Sequence, residues 1–522
     1  MKAVYTEKNA GDHLFAEADV KYAMIKETLT SCNFQGKTEP EVERWLAVEQ
    51  RELMRQLFQS FVTLRGQAEV QESVVGADGA PRTHVLADKE RKLETIFGTV
   101  DVERIGHGGR GLSTLYPVDA SLNLPKQRYS LEVDRQVAKT AARMSFDETL
   151  EMLEDMTGAH VPKRQAEEAV RRASQDFETF YSGTQHDPDS PTSDLLVLTF
   201  DQKGVVLRRE DLTEATRQAA EDAQAKMETR GAKGEPKRGR KRMAAVAAVY
   251  TVAPYVRTPK EVIAGLRHVR LATTTPRPRP ENKRVWATLT RELKDVISDA
   301  FDEACGRDPQ RRKRWLVLVD GDEKLTRYVR AEARHRGLKI TLVLDFIHAL
   351  EYLWKAAHVF FYEGSRDIEA WVLEKLESML EGNVSHVVAA MTRMATVREL
   401  NAKERAPVDT AARYLLKRKT MMRYNDLLAL GTPIATGVIE GACRHLINDR
   451  MERTGARWRI PTAEAVLRLR SILSSGDFDE YWEYHEEMEA QRNHISRYVN
   501  DRVPPVALPR RKPHLRLVRS VD

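Results

Sequence analysis

Three stretches of this 522-residue chain leave it little conformational freedom: residues 195–200 (LLVLTF), 315–319 (WLVLV) and 340–344 (ITLVL). Each is a nearly unbroken run of branched or bulky apolar residues, and each is followed at once by an aspartate: Asp201, Asp320 and Asp345. Such short, continuous runs suit strands buried on both faces, as when helices cover a sheet. A helical pattern over 325–336, closed by Gly337, separates the second run from the third. Residues 244–252 add another strand and 285–304 another helix. Strands alternating with helices predict an α/β fold. Ligand crevices of open α/β sheets lie beyond the carboxyl ends of the strands, so the three aspartates are candidate site residues.

Helical patterns surround this core. Thr38, Glu39, Pro40 and Glu41 form a capping box with proline in the first turn. Val42, Trp45, Leu46, Leu53, Leu57, Phe61 and Leu64 follow at helical spacing, a face expected to pack on its own domain. Residues 76–81 (GADGAP) break the pattern, 96–103 (IFGTVDVE) read as a short hairpin, and 106–111 (GHGGRG) as a flexible loop. Residues 131–175 predict a helix-turn-helix. Ser145 and Glu148 box the second helix, Gly158 stops it, and the third opens with Lys163, Arg164 and Gln165. Basic and amide side chains at the start of a recognition helix reach phosphates and base edges. From Asp345 to about 430 the pattern is helical throughout; Gly431, Thr432 and Pro433 break it, and the next helix carries Glu440. The predicted organisation is therefore an N-terminal helical region with a short hairpin (1–130), a helix-turn-helix-like region (131–185), a first part of the core (190–348), an all-helical insertion (349–434), a last part of the core carrying Glu440 (435–480), and a helical, basic tail (481–522).

Composition narrows the chemistry. Lys and Arg number 84 against 78 Asp and Glu, a net charge of +6, which permits a polyanionic partner without requiring one. Three scattered cysteines, Cys32, Cys305 and Cys443, exclude a disulfide framework and a CxxC-type zinc site, and they suit a reducing cytoplasm. No signal-peptide core occurs in residues 1–24, and the apolar run 243–256 is too short to span a bilayer. The motifs GxSxG, HExxH and GxxxxGK[ST] are missing. Asp201, Asp320 and Glu440, drawn from distant segments, make an oxygen-rich set suited to Mg²⁺ or Mn²⁺. Two such ions, about 3.5–4 Å apart, serve phosphodiester chemistry by activating the attacking oxygen and stabilising the leaving one.

Longer motifs carry a resemblance. Val319-Asp320-Gly321-Asp322, residues 344–354 (LDFIHALEYLW), 437–441 (GVIEG) and 448–458 (NDRMERTGARW) resemble bacterial insertion-sequence transposases of the ISKra type. Phe97-Gly98-Thr99-Val100 and Tyr116-Pro117-Val118-Asp119 do so as well. These are DDE transposases, related to Mutator-like and hAT elements, whose relatives carry a C/D-x-x-H motif; Asp345 and His348 fit it. Relatives often carry cysteines after the first hairpin, and residues 106–111 have none, so no zinc ribbon is expected.

The resemblance implies an RNase H-like mixed sheet interrupted by the helical insertion, with Asp201, Asp320 and Glu440 holding two Mg²⁺ or Mn²⁺ ions. Asp345 competes with Asp320 for the second position. Asp322 either turns into the same mouth or caps the helix beginning at Glu323, His348 is expected buried and bonded to Asp345, and Arg444 pairs with Glu440 or a scissile phosphate. Arg450, Arg453, Arg457 and Trp458 are expected at an opened DNA end, with Lys237, Arg238, Arg240, Lys241 and Arg242 as a further basic segment. The implied partners are double-stranded DNA, as terminal inverted repeats and target, and a second copy of the chain in a homodimer or larger oligomer. The implied place is the bacterial cytoplasm, with no membrane. A nuclease without strand transfer and an inactive DNA-binding regulator are the alternatives.

Overall fold

A computed structural model describes residues 13–184, 193–221, 241–269 and 276–508. Lys237, Arg238 and Arg240 and the basic tail beyond 508 lie outside these residues. The chain is a mixed α/β protein with several sheets, none a barrel, and it divides into two compact units. One is residues 181–478; the other joins residues 1–180 to 479–522. No helix among the described residues is long and apolar enough to cross a membrane. The apolar run near 250 is a strand.

The 181–478 unit is built on five strands: β1 (Leu195–Val206), β2 (Lys241–Val252), β3 (Glu281–Thr288), β4 (Arg314–Val319) and β5 (Ile340–Leu344). Their spatial order is β3-β2-β1-β4-β5. β2 runs antiparallel to its neighbours β1 and β3, and β4 and β5 run parallel to β1. Residues 195–200 are all buried, as a central strand covered on both faces requires. Helix α1 (Leu293–Arg307) links β3 to β4, and α2 (Glu323–His335) links β4 to β5.

β1 does not stop at Asp201. Its antiparallel pairing with β2 continues to Val206, whereas its parallel pairing with β4 ends at Thr199–Leu318. Asp201 therefore lies where one neighbour has left and the other holds the strand straight.

The edge strand β3 is covered by helix Ile460–Ser475. Val285 N donates to Ser475 Oγ (3.0 Å), Ala287 N to Ser471 Oγ (3.3 Å) and Leu289 N to Glu464 Oε2 (2.7 Å). Those alternate N–H groups would otherwise form an open sheet edge. This explains why polar Ser471 and Glu464 are buried. After β5 come five helices, Phe346–Phe360, Arg366–Leu380, Val384–Val397, Ala402–Arg418 and Tyr424–Ala429. They pack on one another and bury residues such as Leu353, Leu376, Met391 and Leu415.

In the other unit, helix Glu39–Gly66 opens on the expected capping box, with Thr38 N donating to Glu41 Oε2 at 2.9 Å. Val62 and Phe58 pack on Leu93, Val100 and Val102 of the hairpin His84–Thr95/Gly98–Gly109. Residues 106–109 are part of that hairpin, not a flexible loop. Gly106 sits under Thr114 and Tyr116, where a Cβ would come within 2.7 Å of Thr114. Close approach, not mobility, explains that glycine. Helices Leu131–Ala141, Phe146–Thr157 and Lys163–Ala173 follow, the second capped by Ser145 and Glu148 and ended by left-handed Gly158. The segment after 478 packs with them. Tyr481 OH donates to Ala173 O (2.7 Å), and Asp176 pairs with His485 (2.7 Å) and Arg492 (2.5 Å).

Candidate active site

The site is built at the mouth of β1 and β4. Asp201 and Asp320 each stand two residues past the last β1–β4 rung, so strand alternation puts both side chains on one face. Asp320 Oδ1 accepts from Asp322 N (2.8 Å), and Asp322 Oδ1 accepts from Leu325 N (2.7 Å), so Asp322 is the N-cap of α2. Burial raises the Asp320 carboxyl above the ordinary carboxylate range, and the charge of Asp201 raises it further; the Asp322 amide and His348 oppose this.

Asp201 Oδ1 accepts from Gln202 N (2.6 Å), and its Oδ2 accepts from Cys443 Sγ (3.1 Å). Cys443 is buried, and burial and the adjacent Asp201 push its thiol pKa up. It stays protonated at neutral pH and serves as a donor, not a nucleophile. Cys443 follows helix Gly437–Ala442, whose exposed Glu440 lies 3.5 Å from the Thr436 hydroxyl.

Thr436 also meets Asp345. Its hydroxyl donates to Asp345 Oδ2 in a short bond, its N–H donates to the same oxygen at 3.3 Å, and Ile347 N donates to Asp345 Oδ1 at 2.8 Å. Asp345 is fully buried. It caps the helix after β5 and staples the segment leading to Glu440, so it is not placed as a competing metal ligand. Thr436, which no motif in the sequence marks, is the link between them.

Other expected contacts fall out differently. His348 is part-exposed and lies 3.9 Å from Glu351; the brace on Asp345 is Thr436, not His348. Arg444 lies 3.8 Å from Asp449 and not on Glu440. Residues 443–448 are π-helical, which changes the angular step between positions 440 and 444. Arg450 and Trp458 are buried, the guanidinium 4.7 Å over the indole, and Trp458 Nε1 donates to Met451 O at 2.9 Å. They are core residues, and the Trp458 main chain adds a rung beyond β1, with Arg208 N donating to Trp458 O at 2.8 Å. Arg453 and Arg457 remain exposed. Lys241 pairs with Glu452 (2.9 Å), and Arg242 is part-buried on β2. Lys163 pairs with Asp147 (2.8 Å), and Arg164 and Gln165 both bond Glu168.

The helical insertion reaches into this mouth. Tyr414 OH donates to Asp320 O (2.7 Å), Arg418 Nε to Gly321 O (2.7 Å) and Tyr424 OH to Leu344 O (3.0 Å). Tyr414 stacks on Tyr352 at 3.7 Å, and Arg418 lies 4.0 Å over the Tyr414 ring. Nothing local in the sequence signals the three hydrogen bonds, each of which joins residues at least 80 positions apart.

Among the described residues, no three His, Cys, Asp or Glu side chains gather as a ready-made metal centre. The arrangement is an aspartate pair with Glu440 on the helix beside it. No family model matches the chain, and no curated protein matches it.

Proposed function

We propose that the chain is a DDE transposase with an RNase H-like core, of the ISKra insertion-sequence type, acting on the terminal inverted repeats of its element. One observation carries this reading: a mixed sheet places Asp201 and Asp320 side by side where its antiparallel half meets its parallel half, with Glu440 delivered by a later helix. The three helices over 131–173 serve as the helix-turn-helix, and their basic ends and Arg453 and Arg457 serve as DNA contacts.

The residues fit a divalent cation. The donors are carboxylate oxygens, which suit Mg²⁺ or Mn²⁺. The raised pKa of Asp320 reflects burial and like-charge repulsion that a dication relieves. Asp201 and Asp320 would hold it, and Glu440 would complete the set. The bound ion supplies Lewis-acid stabilisation of phosphoryl oxygens and a more acidic water. The chain's own groups orient the carboxylates: Cys443 and Gln202 N fix Asp201, Asp322 N fixes Asp320, and Thr436 ties the approach to Glu440 onto buried Asp345. Hydrolysis at the element end frees a 3′-hydroxyl. That hydroxyl then attacks a target phosphodiester, forming one P–O bond as another breaks. Pairing two ends requires at least two copies of the chain.

Asp201→Asn, Asp320→Asn and Glu440→Gln each should reduce Mg²⁺-dependent cutting of end-containing DNA to background and leave binding of that DNA intact. Cutting at the wild-type rate by any of them would sink the assignment. So would a wild-type chain that binds the ends and never cuts them.

A further inference from the structure

Helix α2 starts beside Asp320 and carries Arg327, Arg330 and Arg334 at i, i+3 and i+7, which share one helical face. All three are exposed, and none makes an ion pair among the described residues. This is not a general habit of the helix. Arg336, immediately after it, is bonded to Glu332 (2.7 Å) and Asp302 (2.6 Å). Across from the three arginines, helix Ala402–Arg418 of the insertion adds cations instead of acids. Lys417 and Arg418 line the same groove, of about 360 Å³, as does Gly321, the residue after Asp320. Its one acid, Glu323, is already taken, lying 2.6 Å from Lys417 and 3.8 Å from Arg418.

Like charges stacked along a helix face oppose folding, so their concentration here calls for an external anion. The three arginines span about 10 Å of helix axis, roughly three nucleotide steps of a strand. Guanidinium groups match phosphate oxygens in pairs. We infer that this groove, walled by α2 and the helical insertion, is a phosphate-backbone track that carries duplex DNA to and from Asp320. The inference rests on the transposase reading and names residues that reading does not. It also gives the insertion a direct role, since Lys417 and Arg418 form one wall of the track.

The test uses the full chain and a labelled duplex of random sequence, without divalent cations, so that cutting plays no part. Affinity is read by fluorescence anisotropy across about 50–200 mM salt. Three lost phosphate contacts should flatten the slope of log K against log salt by about 2.7 in the Arg327→Ala/Arg330→Ala/Arg334→Ala variant. The Arg→Lys triple should keep the wild-type slope, because charge is retained. It also controls for folding. A wild-type slope in the alanine triple overturns the track, as does an equal loss in the lysine triple. Normal binding by the triple with normal cutting in Mg²⁺ would overturn the track alone and leave the active-site assignment standing. A wild-type chain that binds no duplex at any salt would overturn both.

Discussion

Asp320 and Asp345 have the same local signature, an apolar strand run ending in an aspartate that opens a helix. They differ in what tertiary structure does to the carboxylate. Asp345 receives donors from Ile347 and Thr436 and is sealed from solvent. Asp320 is part-buried, takes one backbone N–H, and faces Asp201. Its raised pKa has a definite sign for stability. A carboxyl whose folded pKa lies above its unfolded value favours folding below the unfolded pKa, and that contribution is lost as pH rises through the folded pKa. At neutral pH the ionised group therefore weakens the fold. Asp320→Asn should raise the thermal midpoint at pH 7 in chelator, and the gain should vanish below about pH 3, where the wild-type carboxyl is protonated in both states. Differential scanning calorimetry over pH decides it; a lower midpoint at every pH would contradict the electrostatic account.

At the scale of elements, the strand end at Asp320 is held by a helix that arrives some ninety residues later. Gly321 turns with φ +90°, and a Cβ there would meet Tyr414 OH at 2.5 Å, Arg418 Nε at 2.7 Å and Leu344 Cδ1 at 2.9 Å. Gly321→Ala is expected to destabilise the 181–478 unit by at least about 1–3 kcal/mol through backbone strain, before counting the displaced clamp. Urea unfolding measures it, and a change within about 0.5 kcal/mol, typical of an innocuous surface substitution, would show that the clamp yields freely. Helix boundaries in this protein were readable because caps are local chemistry: Ser145 with Glu148, Asp322 and Gly158 each act within four residues. The end of β1 was not, because β1 runs past Asp201 to Val206, where its pairing with β2 stops, and β2 begins only at Lys241. The glycines of 106–109 depend on space in the same way: Gly106 lies under Thr114 and Tyr116, and Gly108 under Leu86 and Thr114, all beyond the run itself.

At the scale of the molecule, one unit is discontinuous. Residues 479–508 belong with the first 180, across the whole length of the other unit. Asp176 is buried against His485 and Arg492, and Gln175 bonds Glu489 at 2.9 Å. Truncation after Phe478 strips these partners, leaving buried polar groups that each cost about 1–3 kcal/mol. Limited proteolysis of the truncated chain should digest residues up to about 180 while 181–478 persists. Equal resistance of both parts would mean that the C-terminal helix is dispensable to its unit.

The sequence by itself determined the elements and the candidates. Apolar runs, caps and helical spacing depend on neighbours within a few residues, and they placed the aspartates after β4 and β5, the helical insertion and the helix of Glu440. Tertiary structure alone decided which carboxylates face each other, that Asp345 is a buried staple, that Arg450 and Trp458 are core, and that Tyr414 and Arg418 grip the Asp320 turn. Each of those outcomes depends on burial and on partners tens to hundreds of residues away. A side chain's type states which interactions it can make, and only packing selects the one it does make.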